Sequence, residues 1–99
     1  MPYLIRMYDR PDAQALRAAT RTAHLEYLRP FAPRILAAGG FLDDDGGVGQ
    51  GGMIILDTDQ RAEAEALVAN DPFTRAGLFE RVEIQRWRKV FFAGRDLSA

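Results

Sequence analysis

Met53-Ile54-Ile55-Leu56-Asp57-Thr58-Asp59 sets four apolar residues in a row against a polar turn, and an alanine-rich segment of helical spacing, Gln60 to Ala69, follows. A short β-branched run closed by Asp and Thr reads as a strand, and Asp57-Thr58-Asp59 offers the helix start, with Ala64, Leu67 and Val68 inward. The same grammar occurs near the N-terminus. Tyr3 to Tyr8 is apolar and aromatic, Asp9-Arg10-Pro11-Asp12 closes it, and Asp12 is a candidate N-cap for a helix carrying Leu16, Ala19, Ala23, Tyr27 and Phe31. That helix should end or bend near Leu28-Arg29, because Pro30 and Pro33 interrupt its hydrogen bonds.

Between these two strand–helix units, Ile35 to Leu42 reads as a strand broken by Gly39-Gly40, and Asp43 to Gly52 as a loop whose glycines disfavour regular structure. After the second helix a turn through Phe73 to Gly77 precedes a long final strand, Phe79 to Phe92, in which Val82 and Ile84 alternate with Glu83 and Gln85. The order is β-α-β-β-α-β, an α+β, ferredoxin-like arrangement: one antiparallel four-stranded sheet with two helices on a single face. The third strand is apolar throughout and the last carries Trp87, Phe91 and Phe92, so the uncovered face is expected to meet a second copy as a homodimer.

The 99 residues are expected to form one domain, with 47% hydrophobic and 27% charged residues typical of a globular chain. A net charge of -1 with dispersed arginines gives no footprint for nucleic acid or an anionic membrane. There is no cysteine, which excludes disulfides, thiolate nucleophiles and Cys-based zinc sites. The N-terminal residues lack a signal-peptide h-region, and no apolar run approaches the roughly 18 residues of a membrane span, so a cytoplasmic location is expected.

One histidine, His24, stands where a solvated polar residue has no reason to be. Taking ~100° per residue from Leu16, Tyr27 falls near ~20°, Phe31 near ~60° and His24 near ~80°, with Arg17 and Arg21 at roughly 100° and 140° on the stripe's edge. In the topology as read, the first and third strands run parallel, so both helices finish side by side at one end of the sheet. Asp71, just past the second helix in Asn70-Asp71-Pro72-Phe73, then comes close to His24. A carboxylate beside an imidazole orients the ring for proton transfer near neutral pH. The same pattern also fits a hydrogen-bonded core histidine and an Asp-Pro helix cap, so the residues alone leave both roles open.

Four segments, in order and spanning nearly the whole chain, resemble the YciI-like (YCII) family. Arg21-Thr22-Ala23-His24-Leu25-Glu26-Tyr27-Leu28 is similar to its R-x-x-H-L-x-x-L segment, and the stretch from Ala64 through Asn70-Asp71-Pro72-Phe73 to Ala76-Gly77 is similar to its A-x-x-D-P-F/Y-x-x-A-G segment. The Leu42-Asp43-Asp44-Asp45-Gly46-Gly47 loop and the ending Arg86-Trp87-Arg88-Lys89-Val90-Phe91 also match, while Gly39-Gly40 departs from a frequent Gly-Pro. The resemblance implies a dimeric α/β barrel and a His24–Asp71 active site in a small enzyme acting on cyclic or aromatic metabolites by elimination or isomerisation.

Other signals weigh less. Gly47-Val48-Gly49-Gln50-Gly51-Gly52 matches G-x-G-x-x-G, but a strand and not a helix follows it. Asp43-Asp44-Asp45 lacks the spacing of a calcium loop. No metal and no cofactor is expected, and a lone serine in the tail, Ser98, permits no triad. Arg21 is a candidate clamp for an anionic substrate, with Arg17 the lesser candidate, and Tyr27 and Phe73 are candidate walls for an aromatic one. The expected function is a cofactor-free lyase or isomerase with His24 and Asp71 as its acid–base pair, in a pocket at the C-terminal ends of the helices. The alternative is a binding module, or dimerising accessory domain, that holds a small molecule unchanged. A cofactor-independent monooxygenase is a third option by analogy of fold.

Overall fold

A computed structural model describes residues 1–99. Its main sheet has the order β2-β3-β1-β4, with β1 at Tyr3–Asp9, β2 at Ile35–Leu42, β3 at Val48–Leu56 and β4 at Phe79–Arg86. Helix α1 (Gln14–Leu28) and a 3-10 turn (Arg29–Arg34) connect β1 to β2, and α2 (Arg61–Ala69) with the single turn α3 (Pro72–Arg75) connects β3 to β4. This is the expected ferredoxin-like α+β fold.

Period-two alternation decides which residues of β1 go inward. Tyr3, Ile5, Met7 and Asp9 are buried, while Leu4, Arg6 and Tyr8 lie on the other face. Ile5 pairs with Ile54 of β3 and Ile84 of β4, and Tyr3 with Leu56, so the inward residues form a continuous apolar floor. Ala64, Leu67 and Val68 of α2 and Leu28 of α1 close over it. Side chains such as Ile5 and Ile54, almost wholly removed from water, each stabilise the fold by about 1.5–3 kcal/mol.

Strands β1 and β3 run antiparallel, not parallel, so α1 and α2 also run in opposite directions. Asp12 adopts φ 58 in the preceding turn, so it does not cap α1, which starts from Ala13 with no side-chain cap. Ala19 and Ala23 are exposed; the inward stripe of α1 runs instead through Arg17, His24, Tyr27 and Leu28. At the second helix Thr58 does serve near the start, its Oγ1 accepting from Gln60 N at 3.0 Å and donating to Glu63 at 2.7 Å.

The glycine-rich segment is not a loop beyond Gly47. It forms the first half of β3, pairing Gly52 with Met7 and Gly51 with Tyr8, because the absence of side chains lets adjacent strands close in. At Gly51, φ is +135° and a Cβ would lie 2.1 Å from Met7 O; at Gly52 a Cβ would lie 2.6 Å from Gly39 O. The final strand is shorter than expected. β4 pairs only with β1 and stops at Arg86 opposite Tyr3, where β1 itself begins. Beyond it, Phe91–Phe92 (β5) and Arg95–Asp96 (β6) make a separate two-stranded ribbon. No helix is long and apolar enough to cross a membrane.

Gly51→Ala should therefore cost more than about 2 kcal/mol, since an L-residue meets both a strained φ and a backbone oxygen there. Urea unfolding of the variant against the wild type, read by the shift in midpoint at constant slope, checks this.

Candidate active site

Asp71 lies in the short link between α2 and α3, and its geometry is set by the proline that follows. Pro72 occupies the first turn of α3, and Asp71, in extended conformation, accepts the Phe73 amide on Oδ1 at 2.9 Å as its N-cap. The side chain is fully buried. Its oxygens also take the Nδ1 of His24, at 2.9 Å from Oδ1 and 2.8 Å from Oδ2. A carboxylate only accepts, so Nδ1 carries the hydrogen and Nε2 is the nitrogen left without a protein partner.

The two residues meet for a reason other than the one expected. Because α1 and α2 are antiparallel, they do not finish together. Instead α2 is short, and the chain continues along α1 toward its N-terminal half: Tyr27 bonds to Leu67, His24 to Asp71, and Arg17 lies against Phe73. The contact is as expected, although its topological cause is different.

A cavity of about 640 Å³ lies between α1 and the β2–β3 half of the sheet. His24, Arg17, Arg21 and Phe73 line it, opposite Gly40 and Gly52. It runs along α1 from Gln14 to Leu28, and so is not confined to the C-terminal ends of the helices. Most of its lining is hydrophobic, and the polar groups sit on the α1 wall.

Phe73 is the hub of that wall. The His24 ring stacks on it with centroids 4.0 Å apart and 17° between planes, and the Arg17 guanidinium lies 4.7 Å from its centroid. Arg17 in turn makes a two-pronged ion pair with buried Asp9, Nε to Oδ2 at 2.7 Å and Nη2 to Oδ1 at 3.0 Å. Arg21 lines the cavity from the exposed side of α1.

Tyr27 is not a wall of this cavity. Its hydroxyl donates to Leu67 O at 2.8 Å and ties α1 to α2. Arg17, and not the first candidate Arg21, is the arginine clamped in the site, and Asp9, which the sequence alone did not single out, holds it. The signals were present: Arg17 falls nearer than Arg21 to the apolar stripe, and Asp9 has the inward parity of Tyr3, Ile5 and Met7, which an unpaired carboxylate would not tolerate. No three His, Cys, Asp or Glu side chains converge as metal ligands.

The fold and the site together define a small α+β protein with an imidazole–carboxylate pair on the wall of a largely apolar cavity. The chain belongs to the YCII-related domain family, whose model matches residues 1–88. It is 32% identical to Protein YciI of Escherichia coli, over 92% of this chain and all of that protein, and equally to Protein YciI of Shigella flexneri. Among solved structures it is similar to 5-chloro-2-hydroxyhydroquinone dehydrochlorinase (TftG) of Burkholderia phenoliruptrix in complex with 2,5-dihydroxybenzoquinone. That likeness has a TM-score of 0.81 and 35% identity, covering 89% of this chain and 94% of that one. A protein of Bacteroides thetaiotaomicron described as an antibiotic biosynthesis monooxygenase aligns at TM-score 0.56 and 13% identity over 94% of this chain and 91% of its own, which bears on the fold alone.

Burial holds the Tyr27 phenol above its ordinary value of 10.0, and the nearby Asp71 charge adds to the rise. The folded chain then keeps this proton to higher pH than the unfolded chain, so stability falls as pH rises above the unfolded value. Tyr27 should ionise above the ordinary phenol range in an ultraviolet titration. Tyr27→Phe should remove that part of the alkaline loss while costing about 1 kcal/mol at neutral pH for the missing hydrogen bond, measured by denaturant unfolding.

Proposed function

We propose that the chain is an enzyme of the lyase or isomerase type, in which His24 moves a proton on a small cyclic or aromatic metabolite and Asp71 holds its ring. The observation that carries this reading is the bond of His24 Nδ1 to the buried Asp71 carboxylate on a cavity wall, which leaves Nε2 for a guest molecule. Nε2 takes the proton of a substrate O–H or C–H bond. The pair released becomes a new double bond, and a leaving group on the ring departs with the pair that held it. Nothing is oxidised or reduced overall, so the step needs no external electron acceptor. Asp71 faces the positive charge that the imidazole acquires and fixes its tautomer. The dehydrochlorinase and its quinone complex support an elimination on a hydroxylated ring as the first reaction to test.

The assay is release of chloride from 5-chloro-2-hydroxyhydroquinone. His24→Ala and Asp71→Asn should each lower kcat by about 100-fold or more with the fold retained. Asparagine suits position 71 because it keeps an acceptor for the Phe73 amide. Full activity in either variant would overturn the proton-transfer role, and binding of the ring without turnover by the wild type would support a binding module instead.

A second copy covering the open face of the sheet belongs to the same reading. Leu4, Met53 and Ile55 are half-buried there in a chain with no helix on that side, flanked by Arg6 against Phe41 and Arg81 against Tyr8. Light scattering should return twice the 11.1 kDa chain mass, and Leu4→Asp should return one. A monomeric wild type would refute the pairing.

A further inference from the structure

We propose that Arg17 is the anion-recognition residue of the cavity, and that the ligands it selects are planar rings bearing an ionised ring oxygen, such as phenolates and enolates. The inference deepens the proposed site at His24 and rests on that reading for its chemistry.

Asp9 takes Nε and Nη2 side-on, which spends one edge of the fork and leaves both N–H groups of Nη1. Arg17 lines the cavity, and its Nη1 lies on the side of Gly40, where an added Cβ would reach contact distance at 3.7 Å, so a glycine there keeps these donors from being covered by a side chain. The Arg17–Asp9 pair is largely withdrawn from water, with side-chain exposures of 14% and 4%. Donors fixed and desolvated in this way discriminate between ligands more sharply than donors on a solvated arginine. Arg21, exposed on the same wall, lacks such a clamp.

Charge and position narrow the ligand further. Asp9 cancels the full charge of Arg17, so Arg17 offers directed hydrogen bonds and not a net positive charge, while Arg21 keeps its charge at the exposed side of the cavity. Such a site suits one delocalised oxyanion better than a phosphate. Arg17 and His24 both lie against the Phe73 ring, so the anion donor and the candidate base share one aromatic platform. A flat guest between α1 and the glycine-lined strands can therefore place its oxygen on Nη1 while another part of its ring meets Nε2 of His24.

The test uses calorimetric binding of 2,5-dihydroxybenzoquinone against its neutral 2,5-dimethoxy analogue. Both are measured on the wild type and in a His24→Ala background, which separates recognition from turnover. The hydroxylated ring should bind more tightly to both. Arg17→Gln should weaken it by about tenfold or more and leave the neutral analogue nearly unchanged, while Arg21→Gln weakens it by less. Because Arg17→Gln strands a buried carboxylate, the double variant Asp9→Asn/Arg17→Gln repeats the measurement without an unpaired charge. Equal affinities for the two rings, Arg17 variants that bind as the wild type does, or no binding by the wild type would each overturn the proposal. Loss of turnover in His24→Ala is read separately, so the acid–base assignment can fail while anion recognition stands.

Discussion

The buried carboxylate of Asp71 is the constraint on which the rest of the molecule depends. Its oxygens satisfy the first amide of α3 and the Nδ1 of His24 together, so one side chain joins a helix start to the middle of another helix. An unpaired carboxylate at full burial is strongly unfavourable, and these two partners are what make its burial tolerable. The consequence reaches beyond local structure. By pinning the start of α3 to α1, Asp71 places Phe73 against the sheet-facing side of α1, and Phe73 becomes the wall that His24 and Arg17 share.

Two carboxylate pairs therefore bracket one aromatic ring. Each pair consists of a buried acid from a connecting segment or strand end and a less buried base from α1: Asp71 with His24, Asp9 with Arg17. Buried ion pairs contribute little net stability compared with well-packed apolar residues, so two of them beside a single cavity suggest positions held for orientation. The opposite wall includes a stretch with little or no side chain, Ala38 to Gly40 and Gly52, so the polar groups look across a gap and not into packing. The division is chemical as well as spatial: directionality comes from α1, and room comes from β2 and β3.

Much of the fold was legible in the residues. The β-α-β-β-α-β order, the span Ile35–Leu42 and the inward set Ala64, Leu67 and Val68 follow from local periodicity, which survives into the structure because each element buries one face. Element ends were less legible. Asp12 looks like a helix cap but is used in a left-handed turn, and β4 ends at Arg86 not for any residue there but because its only partner, β1, begins at Tyr3. The glycines after Gly47 discourage a strand by propensity, yet pairing on both sides of β3 overrides them.

By itself the sequence determined the class of fold, the single histidine on an inward helical stripe and the Asp-Pro helix start at Asp71, because apolar spacing and such a start are properties of short segments. Only the tertiary structure decided that β1 and β3 oppose one another, that Tyr27 binds α2 and does not face the cavity, and that Arg17, clamped by Asp9, stands beside His24. Those outcomes depend on strand direction, on the short length of α2 and on side-chain angles across elements, and no local pattern fixes the relative placement of segments about 50 residues apart until the core packs them together.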